Sequence, residues 1–439
     1  MQAAHQHGPW TILTILLAMA FTSVAGPPQG EGIHENAPGL AAKQQTLRET
    51  VQAEGTTRVL VRFQTDSTPS SATKRGARGQ MRRGKLVGQG RQLAERRRAV
   101  ARAHQKFVQR HNLPPGQAKG FSYVPYAAVE VDAALLAELE ASPDVLDITP
   151  DDFNELSLSS TLPVIGADVV QDDGWDGTGY DVAILDTGID SDHPMLQDNI
   201  VFGTAACFSD AIYSYDVSLC PSGFDQCLDS NDSPIPDSAC GDGAAEACGT
   251  KCGHGSHVAG IAAGNGSEVG VAPGAGIIPV NVFIGRDTDG NGSIDLVGAY
   301  DSDIIRGLEH VLRLAATRDI AAVNMSLGGN IYSTTAQCDS WESATKAVVD
   351  DLRALGVATV VAAGNNGSSE GLSSPGCISS VISVGSTDDS DNISGFSNES
   401  PAMTLHAPGE SVKSAYPGGG TAWMSGTSMA APHVAGAAA

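Results

Sequence analysis

The chain has 439 residues, 41% of them hydrophobic, and a formal net charge of −24. That is more than one average domain and enough apolar material for a sizeable core, so a wholly disordered chain is excluded. Charge divides the sequence: residues 1–150 hold 18 Lys and Arg against 12 Asp and Glu, residues 151–439 hold 8 against 38, and the acidic part excludes DNA or RNA as a partner.

In chain order, "WTILTILLAMAF" is an apolar run too short to span a bilayer. Small residues Ser23 and Ala25 follow it, so residues 1–25 read as an export signal cleaved after Ala25. No later run is long and apolar enough to span, so a secreted chain without a stable membrane anchor is expected. Residues 26–56 are polar and poorly patterned, a flexible lead. "RVLVRF" (58–63) alternates like a strand, residues 68–90 read as a loop, and 91–112 have helical spacing up to "LPPG". "AAVEVD" (127–132) is a second strand, "ALLAELEAS" (134–142) a short helix, and "VLDITPDD" (145–152) a third strand. These make a small α+β domain, bounded as 26–155.

From residue 180 short apolar runs alternate with helical segments: "DVAILD", "GIIPVNVF", "IIRGLEHVLRLAA", "IAAVNMSL", "VATVVAAG", "VISVGS". That alternation predicts an α/β fold, a mainly parallel sheet flanked by helices, over 156–439. In such sheets ligands bind beyond the carboxyl ends of the strands. All eight cysteines fall in this part, and with an export signal they point to disulfides. Six crowd into a Cys-rich stretch at about 203–252; their pairing stays open. Cys338 and Cys377 stand apart as a candidate pair. Cys248, Cys252, His254 and His257 form a rival zinc-ligand set by spacing alone.

Three segments carry chemistry. "VAILDTGID" puts Asp186 at the end of a buried strand, where a cap or turn role is the bland alternative. "CGHGSHVAGIAAG" offers His254 and His257 between glycines at a helix start; a satisfied buried ring is the alternative. "GTSMAAPHVAG" sets Ser428 at the N-terminal end of a helix, with Pro432 expected in the first turn where its missing N–H costs nothing. Such a serine serves as an N-cap, or as a nucleophile whose own N–H steadies an oxyanion. Asp, His, Ser in that chain order is one of the known arrangements of a serine nucleophile.

The strings "DTGID", "HGSHVAGI" and "GTSMAAPHVAG" resemble the three signature segments of the subtilases, the subtilisin-like serine proteases, and the resemblance runs from about residue 160 to the end. It implies Ser428 as nucleophile, His254 as general base and acid, Asp186 as its orienting carboxylate and Asn365 as oxyanion-hole donor. It implies a substrate groove walled by Ser326, Leu327 and Gly328, which pair with an extended substrate, and by Ala362, Ala363 and Gly364, whose small side chains leave room for a large apolar P1 group. No cofactor is implied for catalysis. "YVPYAAVEVDAALLAELEASPDVLDITPD" resembles the I9-type propeptide of secreted subtilases, which implies a zymogen that cleaves itself between about 150 and 162 and is inhibited by its own propeptide. A monomer acting on protein or peptide substrates is expected.

Two features depart from that pattern. The Asp186–His254 interval is long and Cys-rich, a stapled surface insertion. The chain ends eleven residues after Ser428, so a catalytic domain incomplete at its C-terminus is expected. "DTDGNGSID" spaces Asp287, Asp289, Asn291, Ser293 and Asp295 like half of an EF-hand loop, a candidate structural calcium site with Asp301 and Asp303 near enough to help. An α/β-hydrolase is excluded because its nucleophile precedes its histidine.

Overall fold

The computed structural model describes residues 45–65 (apart from 46, 53 and 54), 84–114, 116–151, 153–154, 163–221 (apart from 212) and 240–439. The expected export signal, most of the lead and residues 222–239 of the Cys-rich stretch lie outside them.

Seven strands form the central sheet in the spatial order Leu405–Pro408, Ile382–Thr387, Ala358–Ala362, Ile320–Met325, Asp181–Asp186, Gly276–Asn281 and Ala206–Cys207. Every neighbouring pair is parallel. Parallel strands of this kind are apolar on both faces, and each face needs a helical cover. The strand Asp181–Asp186 is buried throughout and divides its side chains accordingly. Val182 and Ile184 pack with Val258 of helix Gly253–Ala263 and with Met429 and Ala430 of helix Thr427–Ala438. Ala183 and Leu185 pack with Ile305 and Leu308 of helix Asp301–Leu314 and Val348 of helix Ser343–Leu355.

The N-terminal part is a four-stranded antiparallel sheet ordered Ala118–Gly120, Tyr126–Asp132, Thr56–Phe63, Val145–Pro150. One face buries Val59, Val61, Phe63 and Val129 against Phe107, Leu136 and Leu139. The opposite face sends Leu60, Tyr126 and Ala128 into the same core as Leu308 and Leu312. Glu309 on that helix accepts from the backbone N–H groups of Ser122 (2.7 Å), Tyr123 (2.6 Å) and Val124 (3.1 Å). Beside it, buried Arg58 pairs with Asp151, lies 3.6 Å from Asp210 and donates to Ser302 Oγ at 2.8 Å.

Several elements differ from the sequence reading, three of them near the N-terminus. The long helix begins at Gly84 rather than after 90, because helix propagation from an amphipathic core carries through weakly propensive glycines. Residues 47–52 are helical, with Leu47 and Val51 buried one turn apart, where a flexible lead was expected. Ala118–Gly120 adds an edge strand. Three disulfides are described: Cys207–Cys220, Cys248–Cys252 and the expected Cys338–Cys377. The zinc reading falls, since Cys248 and Cys252 are bonded to each other. Among the described residues no helix is long and apolar enough to cross a membrane.

Candidate active site

Three adjacent parallel strands end level with one another. Met325 is in register with Leu185 on one side and Val361 on the other. The next residues, Asp186, Ser326 and Ala362, therefore reach the same carboxyl-end rim. The His254 and Ser428 helices pack against each other behind it.

Asp186 is 0% exposed, His254 4% and Ser428 1%. Asp186 Oδ1 lies 2.7 Å from His254 Nδ1, and it also accepts from Thr187 N at 2.8 Å. A carboxylate accepts only, so Nδ1 carries the proton. His254 Nε2 is buried without a hydrogen-bond partner among the described residues. The turn and the helix meet backbone to backbone: a Cβ on Gly255 would lie 2.2 Å from Gly188 O, so only glycine fits. Thr187 clips them together. Its Oγ1 donates to Cys252 O at 2.9 Å and accepts from Gly255 N at 3.0 Å.

Ser428 is the second residue of its helix. Its hydroxyl donates to Ser326 O at 3.3 Å, and no bond joins it to His254. Met429 N and Ala430 N turn to Gly426 O, and Thr427 N to Asn365 Oδ1 at 2.8 Å, which leaves the Ser428 N–H for a ligand. Thr427 Oγ1 also donates to Asn365 Oδ1 at 3.1 Å. With its oxygen held twice, Asn365 has its amide nitrogen available as a donor. Pro432 lies inside the helix, beyond the first turn where it was expected. Its ring leaves Ser428 O without the usual intrahelical donor. Ser326 Oγ supplies the replacement at 2.6 Å and itself accepts from Asn324 Nδ2 at 2.9 Å.

His257 faces away from the site. Its Nε2–H is shared between Val412 O (3.1 Å) and Ala422 O (3.0 Å), and burial lowers its pKa to about 4.

The Subtilase family profile matches residues 177–439. Subtilisin E of Bacillus subtilis (strain 168) is 35% identical over 330 residues, 73% of this chain and 71% of that protein. The subtilisin of Bacillus pumilus is 36% identical over 281 residues, 63% of this chain and 81% of that protein. A crystal structure of a cold adapted subtilisin-like serine proteinase is 30% identical, covers 60% of this chain and 74% of its own, and has a TM-score of 0.40. The chain belongs to the subtilase family. It is a subtilisin-like serine endopeptidase, a hydrolase of protein substrates that needs no catalytic cofactor.

In this subtilase the residues read from sequence as the groove walls are mostly structural in their side chains. Ser326, Leu327, Ala362 and Ala363 are buried, with Leu327 in the main core. Gly364 sits at φ +101°, and a Cβ there would meet Ser373 Oγ at 2.2 Å. Gly328 lies against Ser373 on the other side. A second strand edge was not anticipated: Phe153–Asn154 pairs antiparallel with Leu296–Tyr300.

Asp287, Asp289 and Asp295 each offer a carboxylate oxygen, all within 4.8 Å of one another. Asp287 also accepts from Gly290 N (2.8 Å) and Gly292 N (2.7 Å), and Ser293 N donates to Asn291 Oδ1 at 2.8 Å. Asp303 does not help this loop: it is fully buried, lies 3.8 Å from Arg306 of its own helix and accepts from Asp210 N at 3.2 Å. Asp301 is buried at the same helix start.

Proposed function

We propose that this endopeptidase works through Asp186, His254 and Ser428 by an acyl-enzyme route, and that it is exported as a self-processing zymogen. The buried 2.7 Å contact between Asp186 and His254 carries the reading. With Nδ1–H donated to Asp186, Nε2 presents its lone pair as the base. It takes the Ser428 proton as the hydroxyl swings from Ser326 O and attacks the scissile carbonyl. The oxyanion that forms is received by the Ser428 N–H and the Asn365 amide. His254 then gives the proton to the leaving amine. A water, deprotonated by the same ring, opens the acyl-enzyme and restores Ser428. Ser326–Gly328 and Ala362–Gly364 hold the substrate backbone between them.

The zymogen reading is supported by the strand that Phe153–Asn154 adds to Leu296–Tyr300, because an extended segment on a sheet edge is the mode by which peptides are gripped. Residues 26–155 then act as an I9-type propeptide and inhibitor, and 156–439 as the protease. Removal of residues 1–25 and the three described disulfides suit an extracellular product. Ser428→Ala should leave a folded chain that stays uncut between 150 and 162 and hydrolyses nothing. Gel and mass analysis of that variant, purified alone, decides it; cutting at the parent rate would overturn self-processing.

We also read Asp287, Asp289 and Asp295, with Asn291 and the Ser293 carbonyl, as a calcium-holding loop, since hard oxygens at this spacing suit that ion. Calorimetric titration of an Asp287→Ala/Asp289→Ala chain should show one site fewer than the parent. An unchanged count removes this site.

A further inference from the structure

The disulfide Cys248–Cys252 stands two residues before His254, and its place differs from that of the other two disulfides among the described residues. Cys207–Cys220 anchors a sheet-edge strand, and Cys338–Cys377 ties helix Thr335–Trp341 to the segment after Ser373. Cys248–Cys252 spans only four residues, against 39 for Cys338–Cys377. A ring that short restrains the unfolded chain least, so global stability is its weakest rationale.

Its local setting is more telling. The segment before Cys248 lies on the turn that follows Asp186: Ile189 N donates to Ala245 O at 2.8 Å, and Ala247 N donates to Ile189 O at 3.2 Å. Cys252, fully buried, accepts from Thr187 Oγ1 at 2.9 Å and leads into the His254 helix. Covalent and hydrogen bonds thus close a circuit from Thr187 through Ile189 and Ala247 to Cys248, across the disulfide to Cys252, and back to Thr187. Asp186 and His254 flank that circuit. Tyr416 adds a brace by donating to Thr250 O at 2.7 Å, between the two cysteines.

We propose that Cys248 and Cys252 are positioning residues, whose disulfide holds the Asp186–His254 pair in its reactive geometry. This rests on the catalytic reading above. Without the disulfide the loop is joined to the helix start only by the backbone of residues 249–251 and by hydrogen bonds, which fix its distance from Cys252 less tightly. A displacement of about 1 Å at a catalytic base is enough to cost about 100-fold in rate. Substrate contacts lie on other segments, so the loss falls on kcat and leaves KM in place.

The test compares the parent, Cys248→Ser/Cys252→Ser and Cys338→Ser/Cys377→Ser, each normalised by fluorophosphonate titration of reactive serine. Expected for the first pair are a kcat lower by about 10- to 100-fold, a KM within about twofold, and a shift of the downfield proton resonance of the Asp186–His254 hydrogen bond. The second pair should keep the parent kcat. Should the first pair fail to fold, folded parent treated with dithiothreitol answers instead. The reagent supplies two electrons and two protons, the S–S bond becomes two thiols, and dithiothreitol closes to its cyclic disulfide. Alkylation and mass spectrometry identify which cysteines were opened, and kcat should fall in step with opening of Cys248–Cys252. An unchanged kcat and resonance, with only melting lowered, overturns the inference alone. A parent whose Ser428 takes no fluorophosphonate overturns the catalytic reading, and the inference with it.

Discussion

A neutral ring buried three residues from the proposed base has a cost that depends on acidity. His257 shares its single proton between two carbonyls, and burial keeps it uncharged down to about 4 in the folded protein. An unfolded chain takes up that proton near the ordinary value of 6.5. Between these two values the unfolded state binds more protons, so stability is complete above the upper one and drains away as pH falls to the lower. For this one group the loss amounts to about 3 kcal/mol. Denaturant unfolding of the Ser428→Ala chain across that window should show the slope, and an added His257→Gln change should flatten it. Equal slopes in both would assign the acid sensitivity elsewhere. Three residues along a helix, His257 is rotated to another side from His254, which the spacing alone makes legible. The sequence could not name Val412 and Ala422 as partners, because they arrive from segments more than 150 residues away.

At the scale of elements, the Ser428 helix contains a proline that removes one of its own bonds, and the repair comes from another element. Ser326, just past the strand Ile320–Met325, gives its hydroxyl proton to Ser428 O. Ser326→Ala should strand that buried carbonyl, lowering stability by about 1–3 kcal/mol and loosening Ser428 enough to reduce kcat. Thermal melting with steady-state kinetics checks both, and unchanged values would mean that water substitutes for the hydroxyl. Apolar runs and glycine-bounded turns made the strands, the His254 helix and the Ser428 helix readable, since each is set by neighbours in sequence. Pro432 was misplaced by one turn because its remedy lies 102 residues upstream. The start of the helix at Gly84 was missed for the opposite reason: local composition favoured a loop, and a cooperative helix ran through it.

Over the whole molecule, the basic N-terminal part and the acidic remainder meet through a few buried or half-buried charges. Arg96 lies 2.6 Å from Asp351, Lys119 pairs with Asp210, and Glu309 gathers three backbone donors. The charge step in the sequence announced that the parts differ. It did not reveal Glu309, whose partners are main-chain groups and carry no side-chain signature. If the N-terminal part inhibits as proposed, Glu309→Gln, which keeps the shape but puts a donor where one acceptor oxygen stood, should weaken inhibition of the protease by the isolated N-terminal part about 10- to 100-fold. Inhibition assays at low and high salt measure this, and equal inhibition by both forms would place the affinity in the apolar face around Leu60 and Tyr126 instead.

The level ending of three neighbouring strands has a further consequence. Each delivers its chemistry by arriving after a fixed number of pleats, so the sheet serves as a ruler for groups that never touch along the chain. Adding or deleting one residue inside Asp181–Asp186, Ile320–Met325 or Ala358–Ala362 turns every later side chain to the opposite face. Changes of length are therefore tolerated in the connections between these strands and not within them.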